Sequence, residues 1–352
     1  MKSYFLPSIV GSLFAALTLS LNATELPDKQ LPIPAVEKQA DVQYLQPRPL
    51  SSIPDGEFGN KVKLGYQLYV NSQSMRDKYV GNNQNCVNCH MGAGTKANAA
   101  PLWAAYMAYP AYRKKNDKVN SYEERIQGCF VYSMNGKAPP SGSQELVAMS
   151  AYSYWLAMSG LIDMYGEKGA PVPVLSDKEL LMGGKRDEFI LPGTAKTMTL
   201  AQRAKLPGRG YPKLTKPAQE PSLERGSAIY DQHCSTCHGV NGEGLDIAGN
   251  HSIPPLWGPN AFNWGAGMHR INTAAFFIKE NMPLGKSIEL SNQQAWDVAA
   301  FMNSHERPQD PRFTGDINET MESYHKHQGY YGRDTGNGEI GGSKAYPSAN
   351  VK

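Results

Sequence analysis

The pentapeptides Cys86-Val87-Asn88-Cys89-His90 and Cys234-Ser235-Thr236-Cys237-His238 follow one pattern, two cysteines two residues apart with a histidine directly after. That spacing offers two sulfurs to the two vinyl groups of a single haem and brings the histidine to the iron from one side. A lone copy could be a zinc or redox motif. Two copies, each followed by Pro-Leu-Trp (Pro101-Leu102-Trp103 and Pro255-Leu256-Trp257), point to covalent attachment of two haem c groups. Cys86, Cys89, Cys234 and Cys237 are then the attachment points, and His90 and His238 the proximal iron ligands.

The motifs sit inside a longer repeat. Gly65-Tyr66-Gln67-Leu68-Tyr69 precedes the first and Gly226-Ser227-Ala228-Ile229-Tyr230 the second, and amphipathic helical stretches follow each. A chain of 352 residues has room for two such cores. The expected fold is mainly α, with two cytochrome c-type domains that each hold one covalently attached haem. Their expected bounds are 24–182 and 222–310. A Gly-, Pro-, Lys- and Thr-rich linker, 183–221, joins them, and a polar tail, 311–352, is expected to be partly disordered, with His325 and His327 solvated. Val70 to Asn85 reads as an insertion into the first unit. Ala295, Val298, Ala299 and Met302 recur at helical spacing in an expected last helix from Ser291 to His305.

Residues 1–23 read as a signal peptide, a short basic start and an apolar stretch from Tyr4 to Leu21. No later run is apolar enough to span a bilayer, so a periplasmic protein with no membrane span is expected. The net charge of +3 gives no reason to expect nucleic acid as a partner.

Distal ligands decide what the haems do. In the second unit Met282-Pro283 leaves a helical stretch, and Met282 is the expected sixth ligand of the second iron, with Met268, His251 and His269 as competitors. A thioether ligand raises the potential, as suits electron exit. The first unit has His90 as its one histidine, so its distal group comes from Cys129, a methionine such as Met134, a lysine or the other domain. Arg125, Cys129 and Ser133 are spaced by four and would share one helix face, where a guanidinium, a thiol and a hydroxyl suit a small sulfur oxyanion. Spacing alone leaves open a buried cysteine beside a surface arginine.

Arg125-Ile126-Gln127-Gly128-Cys129-Phe130, the paired haem motifs and Asn281-Met282-Pro283 together resemble the dihaem thiosulfate dehydrogenases, over roughly Gly65 to His305. The resemblance implies a first haem ligated by His90 and Cys129, and oxidation of two thiosulfates to tetrathionate, which some members run in reverse. It implies substrate contacts from Arg125 and Ser133, with a second basic contact among Arg113, Lys114 and Lys115. It also implies electron exit through a His238/Met282 haem to a soluble cytochrome c or similar periplasmic carrier. Some members have a lysine just before the distal methionine and exchange ligands on reduction. Here Asn281 takes that place, so fixed ligation is expected. Two other readings are a non-catalytic dihaem electron carrier using Met134 and Met282, and a sulfur-transfer cytochrome subunit.

Overall fold

The computed structural model describes residues 49–106, 108–113, 116–165, 210–246, 253–285, 288–327, 329–336 and 338–349. The expected signal peptide, most of the expected linker, His251, Lys114 and Lys115 lie outside them. The elements are α1 (Glu57–Val70), α2 (Leu102–Tyr106), β1 (Ala111–Arg113), β2 (Lys118–Asn120), α3 (Tyr122–Gly128), a π-helical turn (Cys129–Ser133), α4 (Gln144–Tyr165), α5 (Leu223–His233), α6 (Ser235–His238), α7 (Ile271–Asn281), α8 (Asn292–Asn303) and α9 (Ile317–Tyr324). β1 and β2 form a small antiparallel hairpin with Tyr112 opposite Val119.

Each haem motif lies between a first and a last helix that cross closely. In the first unit α1 buries Val62, Leu68 and Tyr69 against Leu146, Met149 and Tyr152 of α4. In the second, α5 buries Ile229 and Tyr230 against Ala295, Val298, Ala299 and Met302 of α8, the four positions with helical spacing. Ser291 caps α8 by accepting from the Gln294 amide, and the Gln294 side chain returns the contact.

The repeated glycine now has a physical reason. A methyl group on Gly65 would stand 2.1 Å from the Ala148 carbonyl oxygen, and one on Gly226 2.2 Å from that of Asp297. Neither oxygen can retreat, since both belong to helix backbone. Gly65→Ala and Gly226→Ala are therefore each expected to force the crossing apart and cost about 1–3 kcal/mol. Denaturant midpoints of the haem-loaded protein test this, and unchanged midpoints in both variants would refute it.

Residues 70–85, read as an insertion, form a polar joint between the domains. Buried Asn82 donates to the carbonyls of Ser133 (2.9 Å) and Ala261 (3.0 Å), and Gln84 to that of Pro255 (2.6 Å). From the second domain, Asn263 donates to Val131 O (2.9 Å) and Asn135 Oδ1 (3.1 Å). The π-helical turn that carries Cys129 thus has its carbonyls held from both domains.

The stretch beyond Pro308 corrects an expectation. It folds back: Gln309 N bonds Tyr346 O at 2.9 Å, its side-chain amide bonds Gly341 O at 2.7 Å, and the Tyr331 hydroxyl donates to Gln309 Oε1 at 2.9 Å. Tyr331 and Ile340 bury themselves with Trp264 in a third small core. His325 is buried rather than solvated, and His327 is partly buried. A polar average concealed two large apolar anchors.

Candidate functional site

In both motifs the histidine amide bonds the first cysteine's carbonyl at 2.9 Å (His90 to Cys86, His238 to Cys234), which turns cysteines and imidazole toward one side. His90 Nδ1 donates to Ala100 O at 2.6 Å and His238 Nδ1 to Pro254 O at 3.0 Å. A carbonyl can only accept, so each Nε2 is left with its lone pair for a metal. Ala100 and Pro254 are the residues just before the two Pro-Leu-Trp runs, so the shared tripeptide marks the carbonyl that orients each ring.

Cys86, Cys89 and His90 open onto a cavity of about 540 Å³, which is also lined by Arg113, Arg125, Cys129, Ser133 and Met134. The second domain contributes Met268, Arg270 and Phe276 to the same wall, and the folded-back tail Arg312. This volume lies within the range of cofactor sites. The donor set fits a haem c: two thiols, an oriented imidazole, and a half-buried Arg270 whose buried Nε has no hydrogen-bond partner. Burial, then Arg312 and Arg113, pull the Arg270 pKa down. Such a crowd of cations calls for anions, and the two haem propionates are anions.

Cys129 lies where α3 passes into the π-helical turn. Ser121 starts α3 by accepting from the Glu124 amide at 3.1 Å, with Glu124 bonding back to the Ser121 amide at 2.8 Å. One turn further on, Arg125 Nη1 lies 2.8 Å from Cys129 Sγ. Burial pushes the Cys129 thiol up, but Arg125, then His90 and Arg113, outweigh it and bring it down to about 7. The Cys129 thiol is within hydrogen-bonding reach of the His90 imidazole. Met134 also lines the cavity but packs into the first domain's core, and its backbone amide closes the turn on Cys129 O at 3.0 Å.

Of the basic candidates upstream, Arg113 reaches the cavity, held by a 2.7 Å bond to the Tyr109 hydroxyl. Sequence reasoning missed Tyr211 and Lys213. They fall in the expected linker, yet both line the cavity, and the Tyr211 hydroxyl interacts with Cys89. An aromatic next to a glycine in a proline-rich run was their one sequence signal.

In the second domain Met282 ends α7 and packs against the core that also receives Cys234. Among its competitors, Met268 lines the first domain's cavity and His269 is engaged with His325 and His327. Asn281 is buried and donates to Asn98 O and Phe277 O, both at 3.1 Å, which ties it into the contact between domains.

Residues 73–157 match a family profile described as SoxA/TsdA, cytochrome c domain, and residues 223–306 one described as cytochrome c. A thiosulfate dehydrogenase of Stutzerimonas stutzeri (strain A1501) is 46% identical over 83% of this chain and 82% of its own. One from Thiomonas intermedia (strain K12) is 46% identical over 89% and 87%. The chain belongs to the thiosulfate dehydrogenase family. The solved as-isolated thiosulfate dehydrogenase (TsdBA) of Marichromatium purpuratum is 40% identical and superposes with a TM-score of 0.68, over 82% of this chain and 55% of that one. This chain therefore spans little more than half of that structure's length.

The family, the mainly helical fold of two cytochrome c domains and the two haem c groups expected from the sequence are thus established. The protein is a dihaem c-type oxidoreductase. Among the described residues no helix is long and apolar enough to cross a membrane.

Proposed function

We propose that the enzyme interconverts thiosulfate and tetrathionate at Cys129, where His90 and Cys129 would hold the iron of the first haem and His238 and Met282 that of the second. The observation that carries this reading is the 2.8 Å approach of Arg125 to Cys129 Sγ within the cavity lined by Cys86, Cys89 and His90. Relatives that cover most of the chain are thiosulfate dehydrogenases, which supports the substrate.

The haems, when bound, take up the two electrons and pass them on. The protein's own residues do the rest. Arg125 favours the ionised sulfur of Cys129 over the thiol. Arg125 and Arg113 offset the charge of the thiosulfate sulfonate, and Ser133 donates a hydrogen bond to one of its oxygens. The Cys129 thiolate and the thiosulfate sulfane sulfur join in a sulfur–sulfur bond as two electrons leave. A second thiosulfate attacks that sulfane sulfur, tetrathionate departs and the Cys129 thiolate returns. The sum is two thiosulfates to one tetrathionate and two electrons.

The second haem, when bound, would supply the route by which electrons reach a soluble cytochrome c or similar carrier. The apolar leader at residues 1–23 and the covalent haem motifs support a periplasmic location. The test is reduction of ferricyanide by the haem-loaded protein with thiosulfate as sole donor, tetrathionate being quantified. One tetrathionate per two ferricyanides is expected. No turnover in either direction would remove the assignment.

A further inference from the structure

Away from the cavity, three histidines converge at the seam between the second domain and the folded-back tail. His269 ends the short turn before α7, and His325 and His327 follow α9. His269 Nε2 lies 3.2 Å from His325 Nδ1 and 3.2 Å from His327 Nε2, and all three ligand atoms fall within 4.8 Å of one another. His269 and His325 are 1% and 5% exposed. Trp264 meets the His269 ring edge-on, and Tyr331 stacks on His325 at 4.0 Å.

In the neutral imidazoles the outer nitrogens fix which inner ones carry lone pairs. His269 Nδ1 bonds the Ala266 carbonyl, so it is the donor and its Nε2 is bare. His325 Nε2 lies 3.0 Å from Asp310 Oδ2, a carboxylate also paired with Arg312 at 2.6 Å, so it donates and Nδ1 is bare. Two lone pairs that face each other at this distance repel unless a cation sits between them. One shared proton would serve two nitrogens, whereas a metal ion serves all three. Nitrogens at about 2.05 Å from a tetrahedral ion stand about 3.3 Å apart, close to both distances here. A ligating histidine whose other nitrogen is held by a carboxylate or carbonyl is the arrangement that orients metal ligands.

We propose that His269, His325 and His327 form a three-histidine site for a divalent transition-metal ion of the zinc and copper class. Imidazole ligands without thiolate or a second carboxylate select such borderline ions over magnesium or calcium. His325 and His327 lie 56 and 58 residues beyond His269 in the chain, so the ion pins the tail to the second domain. Asp310 joins this pin to the cavity, since the carboxylate that holds His325 also holds Arg312. The sulfur chemistry proposed at Cys129 does not require the site.

The test uses the haem-loaded protein, stripped with EDTA, dialysed against zinc sulfate or copper sulfate and then against metal-free buffer. About one retained ion per two haem irons is expected, bound through three imidazole nitrogens in its X-ray absorption spectrum. His325→Gln and His327→Gln should each lower retention at least tenfold, with haem content and absorption bands unchanged. Retention of neither metal by the unmodified protein, equal retention in the variants, or a coordination sphere of oxygen and sulfur would overturn the proposal. The absorption spectrum needs no variant, so a poorly folding substitution leaves the question decidable.

Discussion

Cys129→Gly is expected to lose thiosulfate-dependent turnover by at least about 1,000-fold, since it removes the proposed nucleophile. Its two haems should stay attached, because Cys86, Cys89, Cys234 and Cys237 are untouched. The optical and EPR spectra of one haem should change, while the other keeps its methionine signature. Cys129→Met separates the roles of the sulfur. A thioether can still ligate iron but cannot form the sulfur–sulfur bond, so activity should remain lost. Loss of thiolate donation should raise the potential of the first haem by on the order of 0.1 V or more, within the ~0.8 V range that axial ligands span. If Met134 were the ligand and Cys129 only packed, Cys129→Gly would leave both spectra unchanged. That outcome would end the His90/Cys129 assignment.

How much of this was legible in sequence depended on how local the chemistry is. Haem attachment is written in five consecutive residues, and the repeat of Gly65 and Gly226 marks the helix crossing on which both domains depend. Arg125, Cys129 and Ser133 were legible because one turn separates each from the next. The helix does not stay regular, since at Cys129 it widens into a π-helical turn, but all three residues still line one cavity. The widening could not be read from spacing, because it depends on carbonyls held by Asn82 and Asn263 from distant segments. Arg113 was one of three neighbouring basic residues in the sequence, and the structure places it at the end of β1 on the cavity wall. Tyr211 was hidden in a composition that reads as a spacer. The tail was misread for a similar reason: polarity averaged over its whole length says little when Tyr331, Ile340, buried His325 and half-buried His327 do the packing. Long-range pairings such as His269 with His325 have no periodic signature at all.

The second large effect is expected at the arginines. In Arg125→Ala the partner of Cys129 Sγ at 2.8 Å is lost together with a proposed cation for the substrate. Hydrogen bonds to charged groups contribute about 1.5–3 kcal/mol, so kcat/KM for thiosulfate should fall roughly 10- to 150-fold. Arg125→Lys should recover only part of this, because an ammonium lacks the fork that can hold sulfur and sulfonate together. Arg113→Ala should fall by a smaller factor. Arg113 also lines the cavity and donates to the Tyr109 hydroxyl, and its pull on the Cys129 thiol ranks below that of Arg125. If both cations hold the same dianion, the double variant will not show the product of the two single losses, since removal of either already lets the substrate shift. A double-mutant cycle in kcat/KM measures this coupling. Strict additivity would place Arg113 outside the substrate site and leave Arg125 as the anion contact on its own.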